Sequence, residues 1–350
     1  MDVSHGAVVP RRSDFSLTEE QEDLRTAFAG FFERECPSVR VRESEPLGYD
    51  EKLWHQLLDM GVLTMGVPTD RGGDGASLVD LTLVLEQQGQ RLAPIPLAEA
   101  VVAARLLAQL DAPILDQLAL DPHALVTIAV NPPASGAQLV TAGAVADAVI
   151  GLDGDDLVII TDRHPGSAPE NLGSVALGWC DLAGGDGTRT VLAAGEQART
   201  LYATAIREWK VLISAALIGL GQGALDIGVQ YAKDRIAFGV PIGTFQALSH
   251  PLADVAGAVA TGRRLVWKAA WYLDHDPEHA AAYVSMAYLY ACDAANTSPS
   301  VGIHTQGGFG FTLESDMQLF FRRAKAWVLV AGDPQAELQS IADAMYGPSA

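Results

Sequence analysis

Apolar residues recur at helical spacing over most of the chain and give way to short β-type runs only in its middle. Thr18 followed by Gln21 is a capping-box pattern that opens a helix through Leu24, Phe28, Phe31 and Phe32. A second helix is predicted around Lys52 to Met60, with Trp54, Leu57 and Leu58 turned inward and Gly61 ending it. A glycine-rich turn at Arg71 to Gly75, a helix from about Leu78, the break Leu92-Ala93-Pro94-Ile95-Pro96 and a further helix follow. From Val126 the runs VTIAV, QLVTAG, AVIGL, DLVIIT and SVALGWCDL, separated by Gly, Asp, Pro and Asn, predict strands up to about Gly195. From about Ala203 the helical period returns. The pattern divides the chain into a loose tail over 1–13, a helical domain over 14–122, a small β-domain over 123–200 and a helical bundle over 201–350, so the fold class is mainly α with a small β-domain.

Composition narrows the function classes. The chain has 350 residues and a formal net charge of −20, which excludes nucleic acid or an anionic membrane surface as a partner. The most apolar run, VLISAALIGLGQGALDIGV from Val211, is interrupted by Gln222 and Asp226 and predicts a core helix in place of a membrane span. Cys36, Cys180 and Cys292 lie far apart, with neither a Cys-x-x-Cys nor a paired His, so reduced thiols and a cytoplasmic location are expected, without a disulfide frame or a metal site. The opening MDVSHGAVVPRRSD contains no apolar stretch of the secretory type. GGDG at 72–75 is not a phosphate loop, because the lysine and Ser/Thr are missing and no strand leads into it.

Two stretches carry the candidate chemistry. In YAKDRIAFGVPIGTFQALSH, residues 231–250, helical spacing puts Arg235 and Phe238 on one face, Gly239 and Pro241 stop the helix, and a new helical pattern starts with Ile242, Phe245 and Gln246. A guanidinium there suits a phosphate, which it forks without losing its charge; a surface arginine at a helix C-terminus is the alternative. In GIHTQGGFGFTLESDMQLFFRRAKAW, residues 302–327, Gly307 and Gly308 allow a backbone to approach a ligand closely.

Taken in order, these stretches resemble the flavin-dependent acyl-CoA dehydrogenase family. Arg235, Phe238, Gly239, Pro241, Ile242, Phe245 and Gln246 match its Arg-x-x-Phe-Gly…Phe-Gln signature, and residues 304–314 match its Gln-x-x-Gly-Gly-x-Gly-Phe/Tyr-Thr-x-Glu segment, with His304 where the family has glutamine and Gln306 two residues on. The resemblance covers nearly the whole chain. It implies an N-terminal helical domain, a middle β-domain, here reduced, and a C-terminal four-helix bundle. It also implies that Arg235, Phe238, Gln246, His304 or Gln306, Gly307 and Gly308 contact the pyrophosphate and adenosine of an FAD held by a neighbouring subunit.

The family removes an α-proton with a carboxylate, which must reach within hydrogen-bond distance of its target. The position that most members use is Ala331 here, and the position that a minority use is Trp209. Glu208 is one residue away, a rotation of about 100° on a helix, and an acid in the first turn of a helix is its other reading. Asp333 beside Gly332 reads as a helix end. The ring-binding loop of the family is reduced to Asn131-Pro132-Pro133-Ala134-Ser135-Gly136. The leading expectation is therefore a subunit of a FAD-dependent acyl-CoA dehydrogenase completed by a homologous, base-bearing chain, as in the bacterial two-chain enzymes that act on CoA esters of steroid side chains. Its substrate would be an acyl-CoA, with an electron acceptor that the sequence does not identify. A self-sufficient homo-oligomer using Glu208 or another carboxylate, and a non-catalytic scaffold of the same fold, are the alternatives.

Overall fold

The computed structural model describes residues 16–110, 123–131, 136–165 and 167–347. The tail expected over 1–13 and most of the 131–136 loop lie outside them. Helix α1 (Glu19–Glu35) starts at the Thr18–Gln21 capping box and buries Phe28, Phe31 and Phe32. Helices α2 (Ser38–Glu43) and α3 (Glu51–Leu58) are joined by Arg40, whose guanidinium holds Asp50, the N-cap of α3. After the short α4 (Val62–Met65), α5 (Leu78–Gln90) opens on a second capping box, Ser77 with Asp80, and α6 (Leu97–Ala108) follows. Helix α5 is buried from Leu78 to Gly89 apart from Asp80, so it is the spine of the N-terminal part.

In the middle, β1 (Val126–Ile128), β3 (Ala148–Asp153), β4 (Asp156–Thr161) and β6 (Thr188–Ala194) form one sheet in the order β1-β3-β4-β6, with β1 parallel to β3 and the other pairs antiparallel. β2 (Gln138–Val140) pairs with β5 (Gly178–Cys180) separately. The strand β6 was not expected. It lies at the sheet edge and none of its residues is buried; it starts on polar Thr188-Arg189-Thr190, and its apolar part runs straight into the next helix.

Helix α7 (Gly195–Asp234) then runs 40 residues. It begins at Gly195, so the boundary expected near residue 200 falls inside it: β6 ends and the helix starts on a left-handed glycine, φ 63°, and the apolar period becomes visible only later. Helices α8 (Gln246–His275) and α9 (Ala280–Gln306) complete the long helices of the bundle, and α10 (Met317–Trp327) and α11 (Glu337–Tyr346) pack on α9. Helix α5 lies against α7 at two glycines: a Cβ on Gly89 would sit 1.8 Å from the Ala216 carbonyl, and one on Gly219 1.9 Å from that of Glu86. Backbones in such contact fix where the N-terminal part meets the bundle, and with it the wall between them.

Candidate functional site

The two motifs meet on one surface. Helix α7 stops at Asp234, earlier than the spacing suggested. Arg235 is extended (φ −74°, ψ 118°), and its carbonyl accepts from Ile242 N at 2.9 Å. Ile236–Ala237 (β7) and Val240–Pro241 (β8) form a small hairpin. Arg235 and Phe238 are therefore not a helical pair. The hairpin's own backbone bonds displace the helix, and Phe238-Gly239 become its two-residue turn. Both are left-handed, φ 55° and 83°, the conformation in which Asn or Gly is usual and Phe is strained. Phe238 is 95% exposed, and its ring packs edge-to-face with Phe245 at a centroid distance of 6.1 Å. Its contact with Phe245 is small beside the cost of the left-handed backbone.

Arg235 is exposed and makes no ion pair among the described residues. Gln246, the first residue of α8, is exposed as well. The glycine stretch lies alongside: the Tyr231 ring, one turn before Arg235, stacks on Phe309 at 6.1 Å and 13°, and Gly307 is left-handed with open space around it and Gly308. Phe309, Phe311 and Leu313 are also exposed. The structure separates the two side chains that could stand for the family glutamine. His304 is on the surface, whereas Gln306 is buried and its Oε1 accepts from the Ser315 hydroxyl at 2.6 Å. Gln306 thus supports the turn from inside, and His304 faces outward.

The candidate base positions are occupied otherwise. Glu208 lies well inside α7, which corrects the first-turn reading. It is buried and forked by Arg105, from Nε at 2.8 Å and Nη2 at 3.1 Å, and Arg105 also donates to the Gly66 carbonyl at 2.6 Å. Such a carboxylate joins α6 to α7, with each of its oxygens held by one Arg105 N–H. Trp209 is fully buried, and its Nε1 donates to Glu99 Oε1 at 3.0 Å. Ala331 is half-buried against the core. Asp333 caps the turn Pro334–Ala336 by accepting from Gln335 N at 3.0 Å.

Sequence reasoning missed Glu99. It is buried in the first turn of α6, and burial pushes its carboxyl above the usual range, with only the Trp209 indole and its own backbone N–H opposing this. The signal was present as a lone acid in an apolar run, Pro96 to Val102. Glu99 lines a cavity of about 60 Å³ where the three parts of the chain meet, together with Leu92, Thr141, Ile213, Arg323 and Trp327. Val330, the neighbour of Ala331, is also in its wall. Small-molecule pockets usually measure ~300–1,000 Å³, so this one is small by comparison.

Comparison with known proteins gives consistent matches. Residues 18–111 match the family described as acyl-CoA dehydrogenase, N-terminal domain, and residues 200–346 match acyl-CoA dehydrogenase, C-terminal domain. The acyl-CoA dehydrogenase IpdE2 of Mycolicibacterium smegmatis is 31% identical over 335 residues, covering 93% of this chain and 98% of that one. The acyl-CoA dehydrogenase FadE27 of Mycobacterium tuberculosis is 27% identical, covering 94% and 97%. Among solved structures, the ChsE4-ChsE5 complex of Mycobacterium tuberculosis superposes with a TM-score of 0.83 at 26% identity, over 96% of this chain and 100% of the other. Butyryl-CoA dehydrogenase of Megasphaera elsdenii has the same fold, with a TM-score of 0.83 at 20% identity over 95% and 99%.

Proposed function

This chain belongs to the acyl-CoA dehydrogenase family, and on that premise we propose that it is one subunit of a FAD-dependent enzyme that desaturates an acyl-CoA thioester at its α,β-bond, giving the nucleotide half of a FAD site to a homologous chain that carries the base. The observation that carries the reading is an asymmetry. On the outer surface, Arg235 is without an ion-pair partner among the described residues, Phe238 is held strained and exposed, and the Gly307-Gly308 turn is open. Inside, Trp209 and Ala331 stand at the two base positions, and the nearby cavity, lined by Glu99 and Val330, measures about 60 Å³.

The cofactor fits one of these places and not the other. Arg235 would hold pyrophosphate oxygens as a fork. Gly307 and Gly308, lacking Cβ atoms and facing open space, would let backbone N–H groups approach the adenosine side, with His304 and Gln246 as polar contacts and Phe238 as an apolar cover. The internal cavity is too small for a tricyclic ring beside an acyl chain. When bound, FAD supplies the acceptor for the hydride that leaves the β-carbon. The α-proton goes to a carboxylate of the partner chain, since Glu208 is committed to Arg105. The solved ChsE4-ChsE5 relative is itself a complex of two named chains, which supports a mixed assembly here.

A self-sufficient homo-oligomer is the second reading, and Glu99 is the carboxylate that would serve it, because it lies in the cavity beside Trp209. The volume of that cavity counts against it. Mass and flavin content decide: the chain alone should be colourless or poorly soluble, and co-expression with its homologue should give a yellow complex with about one flavin per two chains. A stable homo-oligomer with one FAD per chain that oxidises an acyl-CoA would sink the mixed-site reading, and a complex without flavin would leave only a scaffold.

A further inference from the structure

A groove of about 470 Å³ opens between the N-terminal helices and the bundle, and the β-domain contributes nothing to its lining. Its bed is apolar: Ile227 of α7 and Phe320 of α10, with the more deeply buried Val41, Leu92 and Leu319. A Cβ on Gly223 would sit 2.5 Å from the Gln90 carbonyl oxygen and 2.6 Å from the Phe320 ring, so α5, α7 and α10 meet there at bare backbone and the bed is fixed.

The rim is acidic. Glu33, Asp226 and Asp316 stand around it against one lining cation, Arg91. Arg91 reaches Glu33 at 3.2 Å, and Arg42 reaches Asp316 at 2.7 Å. Asp226 is left over: it is exposed, accepts from Gln90 Nε2 at 3.0 Å and Gln222 Nε2 at 2.8 Å, and forms no ion pair among the described residues. Helices α1 and α5 also end at the groove, at Glu35 and Gln90, and bring the negative ends of their dipoles to it, whereas only α10 begins there, with Asp316 at its N-cap. An apolar bed under an excess of negative charge suits a lysine or arginine, whose methylene stem lies on hydrocarbon while its head stays with the acid.

The groove also continues the surface given to the cofactor. Gly223, Ile227 and Tyr231 are four apart and form one stripe of α7. Tyr231, about 6 Å along the axis from Ile227, stacks on Phe309 of the glycine turn. A chain that covers Arg235, Phe238 and that turn therefore has the groove about two helical turns away. With 43 acidic against 23 basic residues, a second copy of this chain is the electrostatically poorer occupant.

We infer that the groove seats a basic segment of the homologous partner chain, a lysine or arginine with its stem on Ile227 and Phe320 and its head at Asp226. The inference rests on the mixed-assembly reading and adds to it where the partner docks and by what chemistry.

Sedimentation of the co-expressed complex on dilution, at low and at high chloride, reads the concentration at which its chains part, and native mass spectrometry reads which pairs persist. Asp226→Asn should raise the dissociation constant of the mixed pair roughly threefold to tenfold, and Asp226→Lys by more than about tenfold, both with a flatter salt dependence than the wild type. Glu196→Gln, which removes the same charge from an exposed site at the other end of α7, about 45 Å away, should change nothing. Unchanged dissociation in both Asp226 variants, an equal effect of Glu196→Gln, or loss only of a pair between two copies of this chain would overturn the inference while a yellow mixed complex upheld the mixed assembly. So would spermidine binding to the intact complex that Asp226→Asn abolishes, because the groove would then stand open to a free cation. If no mixed complex forms, both readings fall.

Discussion

Phe238→Asn separates the two things that the hairpin turn does. Phe238 sits at φ 55° and is 95% exposed, and its one ring–ring contact among the described residues is the edge-to-face pair with Phe245. A left-handed backbone costs an L-residue about 1–2 kcal/mol, and Asn before Gly is among the best-tolerated choices for such a turn. Against that gain stands the lost edge contact, about 0.5–1 kcal/mol for an exposed aromatic pair. The net expectation for the lone chain is a stabilisation of about 0–1.5 kcal/mol. In the assembly the sign reverses. A Phe side chain fully covered by a partner or cofactor contributes about 2–3 kcal/mol, so Asn should weaken assembly or flavin retention roughly 30-fold to 150-fold. Urea unfolding of the dilute lone chain reads the first effect, and flavin release from the co-expressed complex on dilution reads the second. A lone chain destabilised by Asn, or a complex that keeps its flavin unchanged, would refute the argument that the strain is held for an intermolecular contact.

The other predictions test the remaining groups. Arg235→Ala should lose about 1.5–3 kcal/mol of a charge-assisted contact, tenfold to more than a hundredfold in equilibrium flavin affinity, and Arg235→Lys should recover only part, because an ammonium does not fork; equal affinities in a folded assembly would remove Arg235 from the cofactor site. Glu208→Gln should act on stability, not on the chemical step: it strips the charge from a buried pair with Arg105, at a cost of about 3 kcal/mol, and a loss of 10²-fold or more in the rate of α-proton removal with stability intact would make it the base after all. For Glu99 the folded carboxyl titrates above its ordinary 4.5, so its contribution is fully present below that pH and is lost as pH rises towards the folded value. Above 4.5, stability attributable to Glu99 falls by about 1.4 kcal/mol per pH unit over which the folded acid keeps its proton. Glu99→Gln, which still accepts from Trp209, should therefore be stabilising near neutrality and close to neutral in effect at pH 4, as read by thermal unfolding across that range; the same effect at both pH values would mean that Glu99 is not held as the acid.

Local grammar in the chain specified a good deal. The capping box at Thr18, the strand runs after Val126 and the glycine pair at 307–308 act over a few residues, through bonds and dihedral preferences that any context respects. The ordered signature from Arg235 to Gln246 pointed to the family before any geometry was known. The edge strand β6 escaped, since a strand with no buried side chain carries no apolar alternation, and so did the start of α7 at Gly195. Roles that depend on which surfaces meet were decided only by packing. Glu208 looked like a helix-end acid until Arg105, 103 residues earlier, proved to be its partner; Gln306 and His304 were interchangeable until one turned in to Ser315; and Glu99 was an unremarked acid until Trp209 and the cavity closed around it. Burial and long-range pairing set the charge state and reach of a side chain, and both are properties of the neighbours that folding brings to it, not of the residues beside it in the chain.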